Sequence, residues 1–301
     1  MSLKESILKT IAFFDIFSFP LTAEEIKEHL YNYKKPIHIK EIKGTLAEME
    51  NIEKVHDYYV LNGREKLVDL RRSRKFISEK FWARVRQYGQ YIVQVPFVEM
   101  IAVCNNLAYD NAAESSDIDL FIVIKRGRMW LARLIITLIL QFFGVRRYGS
   151  KIAGRFCLSF FVTPKKLDMK PLLLRPEDPY MAYWTKLIKP IYGKDMYSKF
   201  VDENKGWLNE QYGLSFDEKL DQQIAFSGKS IHKKFWEWIF KGWLGDLLEW
   251  ILKKTFKKRT LAKSRKLGPE ASVVVMDDML KFHNYDRRGE YLEKWKEKII
   301  F

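Results

Sequence analysis

The sequence predicts an α+β fold with three parts: an N-terminal winged-helix pattern, a small mixed sheet with flanking helices, and a C-terminal helical region. Three observations predict it. Apolar residues recur at helical spacing through residues 6–49 and lead into a β-rich ribbon. Two apolar β-rich runs, 100–104 and 118–124, precede an apolar helix and a third such run at 155–162. Beyond Pro171 the pattern is mostly helical. The three parts divide the chain at 1–65, 66–175 and 176–301.

In the first part, Ile7, Leu8, Ile11 and Phe14 mark one face of a helix over 6–17, closed by Pro20. Thr22, with Glu25 three places on, is a capping box that opens a second helix running to about Leu30. Ile39, Ile42, Leu46 and Met49 mark a third, over 38–49. Residues 55–61 then read as ribbon, ending at the turn pair Asn62-Gly63. Such a unit reads DNA through its third helix, and this one carries Lys40 and Lys43 there. It also carries Glu41 and Glu48, and the second helix adds Glu24, Glu25 and Glu28. Acidic faces repel phosphate, so a structural or partner-docking role competes with DNA binding.

Residues 64–94 predict a long helix or a broken pair of helices, rich in Arg and Lys, with Arg71, Arg72, Arg74 and Lys75 in one run. The run is either a solvated face or an approach surface for a polyanion. The apolar helix over 129–145 has Arg133, Thr137 and Gln141 at four-residue steps, which places a polar stripe along one side. At about 17 residues it is marginal for crossing roughly 30 Å of hydrocarbon, so no stable membrane insertion is expected. Further on, 179–188 and 222–260 carry helical stripes and 272–276 reads as one more short strand. The aromatic run 235–243 is expected in the core. The basic cluster from Lys253 to Lys266 is a solvated face, or a contact for RNA or for the periphery of an acidic membrane.

Bulk composition bounds the partners. The chain has 301 residues, 47% of them apolar, enough for a sizeable core and too many for disorder. A net charge of +15 selects anions: nucleotide phosphates, nucleic acid or acidic lipid. Cys104 and Cys157 are too few for a disulfide scaffold, and the N-terminus lacks the layout of a secretion signal, so the expected location is cytoplasmic.

The chemistry sits in residues 103–123. On a strand, Asp117 and Asp119 project the same way, while Ile118, Leu120 and Ile122 face the core. Paired carboxylates repel unless a cation joins them. A hard divalent ion such as Mg²⁺ does so and also binds phosphate. A pair of such ions activates an attacking hydroxyl and neutralises a leaving pyrophosphate.

This segment resembles the signature of the polymerase-beta-like nucleotidyltransferase superfamily: a Gly-Gly or Gly-Ser pair after a strand, a short spacer, then Asp-hydrophobic-Asp/Glu. Here Asn105-Asn106 occupy the pair, ten residues follow, and Asp117-Ile118-Asp119 complete it. The whole chain is similar to uncharacterised bacterial nucleotidyltransferase-like proteins with a winged helix in front and helices behind. The resemblance implies a nucleotidyltransferase-type mixed sheet in the middle of the chain. It implies Asp117 and Asp119 as catalytic metal ligands for Mg²⁺, with two ions in the fullest form. It further implies an NTP as substrate and transfer of a nucleotidyl group to a hydroxyl of a nucleic-acid, protein or small-molecule acceptor. Asn105, Asn106, Ser116 and Arg133 are then the nucleotide-positioning candidates.

Two departures from the pattern stand out. Asn replaces glycine, and Asn is the non-glycine residue that best tolerates a left-handed backbone, so Asn105 can keep the turn while the Asn106 amide donates to phosphate. Asp110, where small members often have glycine, adds negative charge near the loop. The second departure is the third carboxylate. The strand that should carry it has none; Cys157 or Ser159 stands there, with Asp168 and Glu99 as substitutes. That leaves a second reading: a catalytically degenerate module that binds nucleotide or nucleic acid in a regulatory role. Lys281, His283, Arg287 and Arg288, beside Asp277, Asp278 and Asp286, either fold back on the site or make a surface salt network. No histidine has zinc-ligand spacing, and no Walker lysine loop, dinucleotide fingerprint or nucleophile elbow occurs.

Overall fold

The computed structural model describes residues 1–217, 225–226, 230–267, 272–283 and 285–300. It is a mixed α+β chain. In the N-terminal unit the Ser2 hydroxyl accepts from the Glu5 N–H and opens α1 (Leu3–Ile16). The capping box at α2 (Ala23–Glu28) is present. Thr22 Oγ1 accepts from the Glu25 N–H at 3.2 Å, and the Thr22 N–H donates to Glu25 Oε2 at 2.8 Å. Two otherwise orphaned donors are thereby satisfied. After α3 (Ile39–Ala47), β2 (Ile52–Val55) and β3 (Tyr58–Leu61) pair with a two-residue strand, β1 (Leu21–Thr22), in the antiparallel order β1-β3-β2. The ribbon turns at His56, whose φ is +55°, and Asn62-Gly63 ends it rather than turning it.

The long helix is α4 (Leu67–Ile92). Part of its basic run is structural. The Arg71 guanidinium lies 4.0 Å over the Phe19 ring and 4.6 Å over Tyr58, and pairs with Glu25. Arg74 donates to the Phe17 carbonyl and to Asn111 Oδ1. These two cations tie the N-terminal unit to α4 and to the loop after residue 105, so they are not free for a polyanion.

The central sheet has the order β7-β4-β5-β6-β9-β8, with β4 (Val98–Cys104), β5 (Ile118–Ile124), β6 (Phe156–Val162), β7 (Lys189–Tyr192), β8 (Ser272–Val275) and β9 (Met279–His283). The β5–β6 pair is parallel, and α5 (Met129–Phe142) makes the crossover such a pair needs; the other pairings are antiparallel. Alternation along the strands sends residues to two cores. Met100, Ala102, Phe121, Val123 and Phe160 join the core shared with α1, α6 (Pro179–Leu187), α7 (Lys194–Tyr212) and α10 (Arg288–Ile299). Ile101, Val103, Leu120, Ile122 and Phe161 join the other, with α4, α5 and the inner face of α9 (Trp243–Leu267). Asp119 shares the parity of Phe121 and so opens toward α6.

Among the described residues, the region beyond residue 176 supplies three strands as well as helices. One of them, β8, is the expected strand; β7 and β9 are additional. Of the expected helical stretch 222–260, residues 222–224 and 227–229 lie outside the described residues. Within the rest of that stretch, α8 (Ile231–Phe240) and the first part of α9 are helical. The aromatic run 235–243 is not core: Phe235, Trp236, Trp238 and Trp243 are exposed. Composition suggested burial, but helical geometry turns half of such a run outward. No described helix is long and apolar enough to cross a membrane.

Candidate functional site

The site lies where the ends of β4, β5 and β6 meet α6 and the C-terminal segment. After Cys104, the chain leaves β4 through a 3-10 turn at Asn105–Tyr109, and Asn105 takes φ of +58°. A non-glycine residue in this left-handed region is uncommon, with Asn among the enriched types. The turn points the Asn105 side chain across the strand gap, and its Nδ2 donates to Asp119 Oδ2 at 2.7 Å. The Tyr180 hydroxyl of α6 contacts Asn105 Oδ1 at 3.3 Å and orients the amide.

Asp117 immediately precedes β5 and Asp119 lies within it. In the parallel register Asp119 stands opposite Cys157 of β6. One ligand atom from each of Asp117, Asp119 and Cys157 falls within 4.8 Å of the others, the spacing of a metal-ligand set. Burial, and then the neighbouring Asp117 charge, push the Asp119 carboxyl up to about 6, opposed by the Asn105 hydrogen bond. Burial followed by the charges of Asp119 and Asp117 pushes the Cys157 thiol up as well. It is therefore a protonated neighbour at neutral pH rather than a thiolate. Neither proposed substitute acid joins this cluster. Glu99 is at the far end of β4, and Asp168 accepts from the Lys170 N–H at 2.8 Å. Cys157 occupies the third position.

A cation already stands beside the pair. The segment after α5 runs along the start of β6: the Phe156 N–H donates to Val145 O at 2.9 Å, and the Arg147 N–H donates to Phe156 O at 3.0 Å. This fixes the Arg147 guanidinium 2.6 Å from Asp117 Oδ2 and 3.4 Å from Cys157 Sγ.

Above the acids opens a cavity of about 690 Å³, lined by Asn105, Asp117, Asp119 and Arg133 and by residues from the end of the chain. Six basic side chains, Arg133, Arg146, Arg147, Lys281, Arg287 and Arg288, face three acids, Asp117, Asp119 and Asp286. Lys281, Arg287 and Arg288 of the late basic group thus line the cavity, and Arg288 is paired there too. Arg288 grips Asp286 at 2.7 Å and reaches Asp178 at 3.3 Å. Lys281 is pulled down to about 8, chiefly by burial and then by the Arg288 charge. Arg133 lies 4.6 Å over the Phe282 ring, its buried Nε without a hydrogen-bond partner; among the described residues no acid pairs with it.

The remaining sequence candidates fall as follows. Asn106 lines an adjoining cavity of about 190 Å³ with Tyr180, Tyr183 and Tyr291, and its Oδ1 accepts from the Tyr109 hydroxyl at 2.8 Å. Ser116 braces the loop: its Oγ accepts from the Ala113 N–H at 3.0 Å and its carbonyl from the Gly154 N–H at 2.7 Å. It is not part of the cavity lining. Asp110 takes φ of +57° and turns its carboxylate away from the site to the Trp82 indole at 2.8 Å. Arg147, Tyr180 and Tyr291 had no signal in the sequence; tertiary packing alone brings them to the acids.

Fold and site together define a mixed α+β protein with a carboxylate pair beneath a cation-walled cavity. No protein-family model, curated protein or solved structure matches the chain.

Proposed function

We propose that the chain is a metal-dependent nucleotidyltransferase of the polymerase-beta-like kind, moving a nucleotidyl group from an NTP to a hydroxyl. The observation that carries this reading is the convergence of Asp117, Asp119 and the left-handed Asn105 turn under a cavity of about 690 Å³ walled by six basic side chains. A triphosphate needs a cationic wall and acids that hold a cation against it. The three-helix, three-strand unit at the N-terminus and the mixed sheet behind the acids are compatible with a winged helix and a nucleotidyltransferase core.

The donor set suits a hard divalent ion through the two carboxylates, with phosphate and water oxygens completing the shell. Bound there, Mg²⁺ would supply charge neutralisation of the triphosphate and activation of the acceptor hydroxyl. The chain's own groups do the rest. Asn105 holds the Asp119 carboxylate in place, Arg133, Lys281 and Arg287 draw the phosphates in, and the stacked rings of Tyr180 and Tyr291, 5.3 Å apart, offer a face for a base.

The test is calorimetry with ATP and Mg²⁺ on the wild type and on Asp117→Asn. Loss of metal-dependent binding with an unchanged unfolding midpoint is expected; equal binding by both proteins overturns the reading.

A specific observation favours a second reading. Arg147 already neutralises Asp117, and Cys157 stands in the third position, as in a site that binds nucleotide without turning it over. Radiolabelled NTP separates the two: label incorporated with time into RNA, protein or a small hydroxyl compound supports transfer. Saturable binding with no incorporation supports the regulatory module.

A further inference from the structure

The exposed aromatic face of α8 and α9 stands apart from the cavity and from both cores. On α8, Ile231, Phe235 and Trp238 recur at one helical face, with Ile231 86% and Trp238 75% exposed. On α9, Trp243, Leu247, Trp250 and Ile251 repeat the pattern, and Trp243 is 76% exposed. The opposite face of α9 is committed to the protein, since Leu248, Leu252 and Phe256 pack on the core.

Past Ile251 the same outward face becomes cationic, with Lys254 and Lys258 exposed one and two turns on. The Lys254 Nζ lies 5.0 Å over the Trp250 ring. The acids of these helices are engaged elsewhere. Asp246 pairs with Arg128 at 2.6 Å, Glu249 accepts from the Trp130 and Leu131 N–H groups at 3.0 and 2.9 Å, and Glu237 accepts from the Phe97 N–H at 2.8 Å. The outward stripe is therefore tryptophan and aliphatic over its first turns and lysine over the next, and the acids of the two helices are each held by a partner on the protein.

We infer that this face docks on an anionic lipid bilayer. Tryptophan prefers the headgroup level, where its ring is half in hydrocarbon and its N–H is wet. Lysines snorkel from such a helix to lipid phosphates. Contact cores between proteins are depleted in lysine, and single-stranded RNA sites set stacking rings among cations along a groove. Here rings and cations follow one another along a helix face. The net charge of +15 adds long-range attraction to an anionic leaflet.

The experiment is cosedimentation of the full chain with phosphatidylcholine vesicles and with phosphatidylcholine–phosphatidylglycerol vesicles, at low and high salt, with tryptophan emission recorded. Binding to the anionic vesicles alone, a blue shift on binding and release by salt are expected. The triple variant Trp238→Ala/Trp243→Ala/Trp250→Ala should lose vesicle binding. The variant Lys254→Gln/Lys258→Gln should weaken it roughly thirty-fold without moving the unfolding midpoint. No binding to anionic vesicles overturns the proposal, as does equal binding by the triple variant. So does a wild-type dimer that fails to sediment with lipid and that the triple variant converts to monomer. Retention of single-stranded RNA in place of lipid overturns it too.

Discussion

Arg147 and Lys281 set what the candidate site can hold. The Arg147 guanidinium sits where a divalent cation would meet Asp117, so the two compete for one carboxylate. Replacing it by Met should raise divalent metal affinity roughly ten-fold, the worth of one charge-assisted hydrogen bond. Titration with Mn²⁺ followed by water-proton relaxation checks this, and unchanged affinity would show that Arg147 does not guard the acids. Lys281 has its pKa depressed to about 8, so it is cationic below that value and neutral above. Triphosphate affinity should therefore fall as pH rises through about 8, and Lys281→Met should flatten that segment of the profile. Calorimetry between pH 7 and 9 reads both. At this scale the sequence was partly legible. The carboxylate pair and the left-handed Asn105 follow from spacing and backbone preference within twenty residues. Arg147 and Tyr291 do not, because no local pattern records which distant side chain folds over a strand end.

At the scale of elements, Asp178 is the joint between α6 and the end of the chain. Buried at the N-cap of α6, it accepts from the Met181 N–H at 2.9 Å, from the Leu174 N–H at 3.1 Å, and from Arg288 at 3.3 Å. Asp178→Ala removes the cap and leaves Arg288 with a partner fewer, and should cost about 2–4 kcal/mol in urea unfolding. Asp178→Asn, which keeps the cap, should cost less. Most helices announced themselves through periodicity and caps, as Thr22 with Glu25 did. The strands β7 and β9 are four and five residues long, too short for a period-two pattern to stand out. Pro190 within β7 argues against a strand in sequence, yet β7 is an edge, where a missing N–H is tolerated. The tryptophans of α8 and α9 show the converse failure. Hydrophobicity says what a residue prefers, while the choice of which helix face is covered is made by neighbours remote in sequence.

Across the whole molecule, one continuous core runs from Ile7 of α1 through Phe121 and Phe160 of the sheet to Trp295 of α10. Trp295 is fully buried, and its indole N–H donates to Lys9 O at 2.9 Å. Trp295→Ala should cost about 3–5 kcal/mol by opening a large cavity. Because α10 also carries Arg288 and Tyr291, nucleotide affinity should drop with it. Denaturant melts with and without ATP measure both, and lost stability with intact affinity would show the two to be uncoupled.

The cavity wall draws on residues from Asn105 to Tyr291, and its last members arrive on the β9–α10 segment. During synthesis the carboxylate pair emerges from the ribosome long before Arg287, Arg288 and Tyr291, which help enclose it. A nascent chain halted anywhere short of residue 291 would carry Asp117 and Asp119 on an unroofed ledge. The wall of this site is thus complete only once α10 has packed back onto α1.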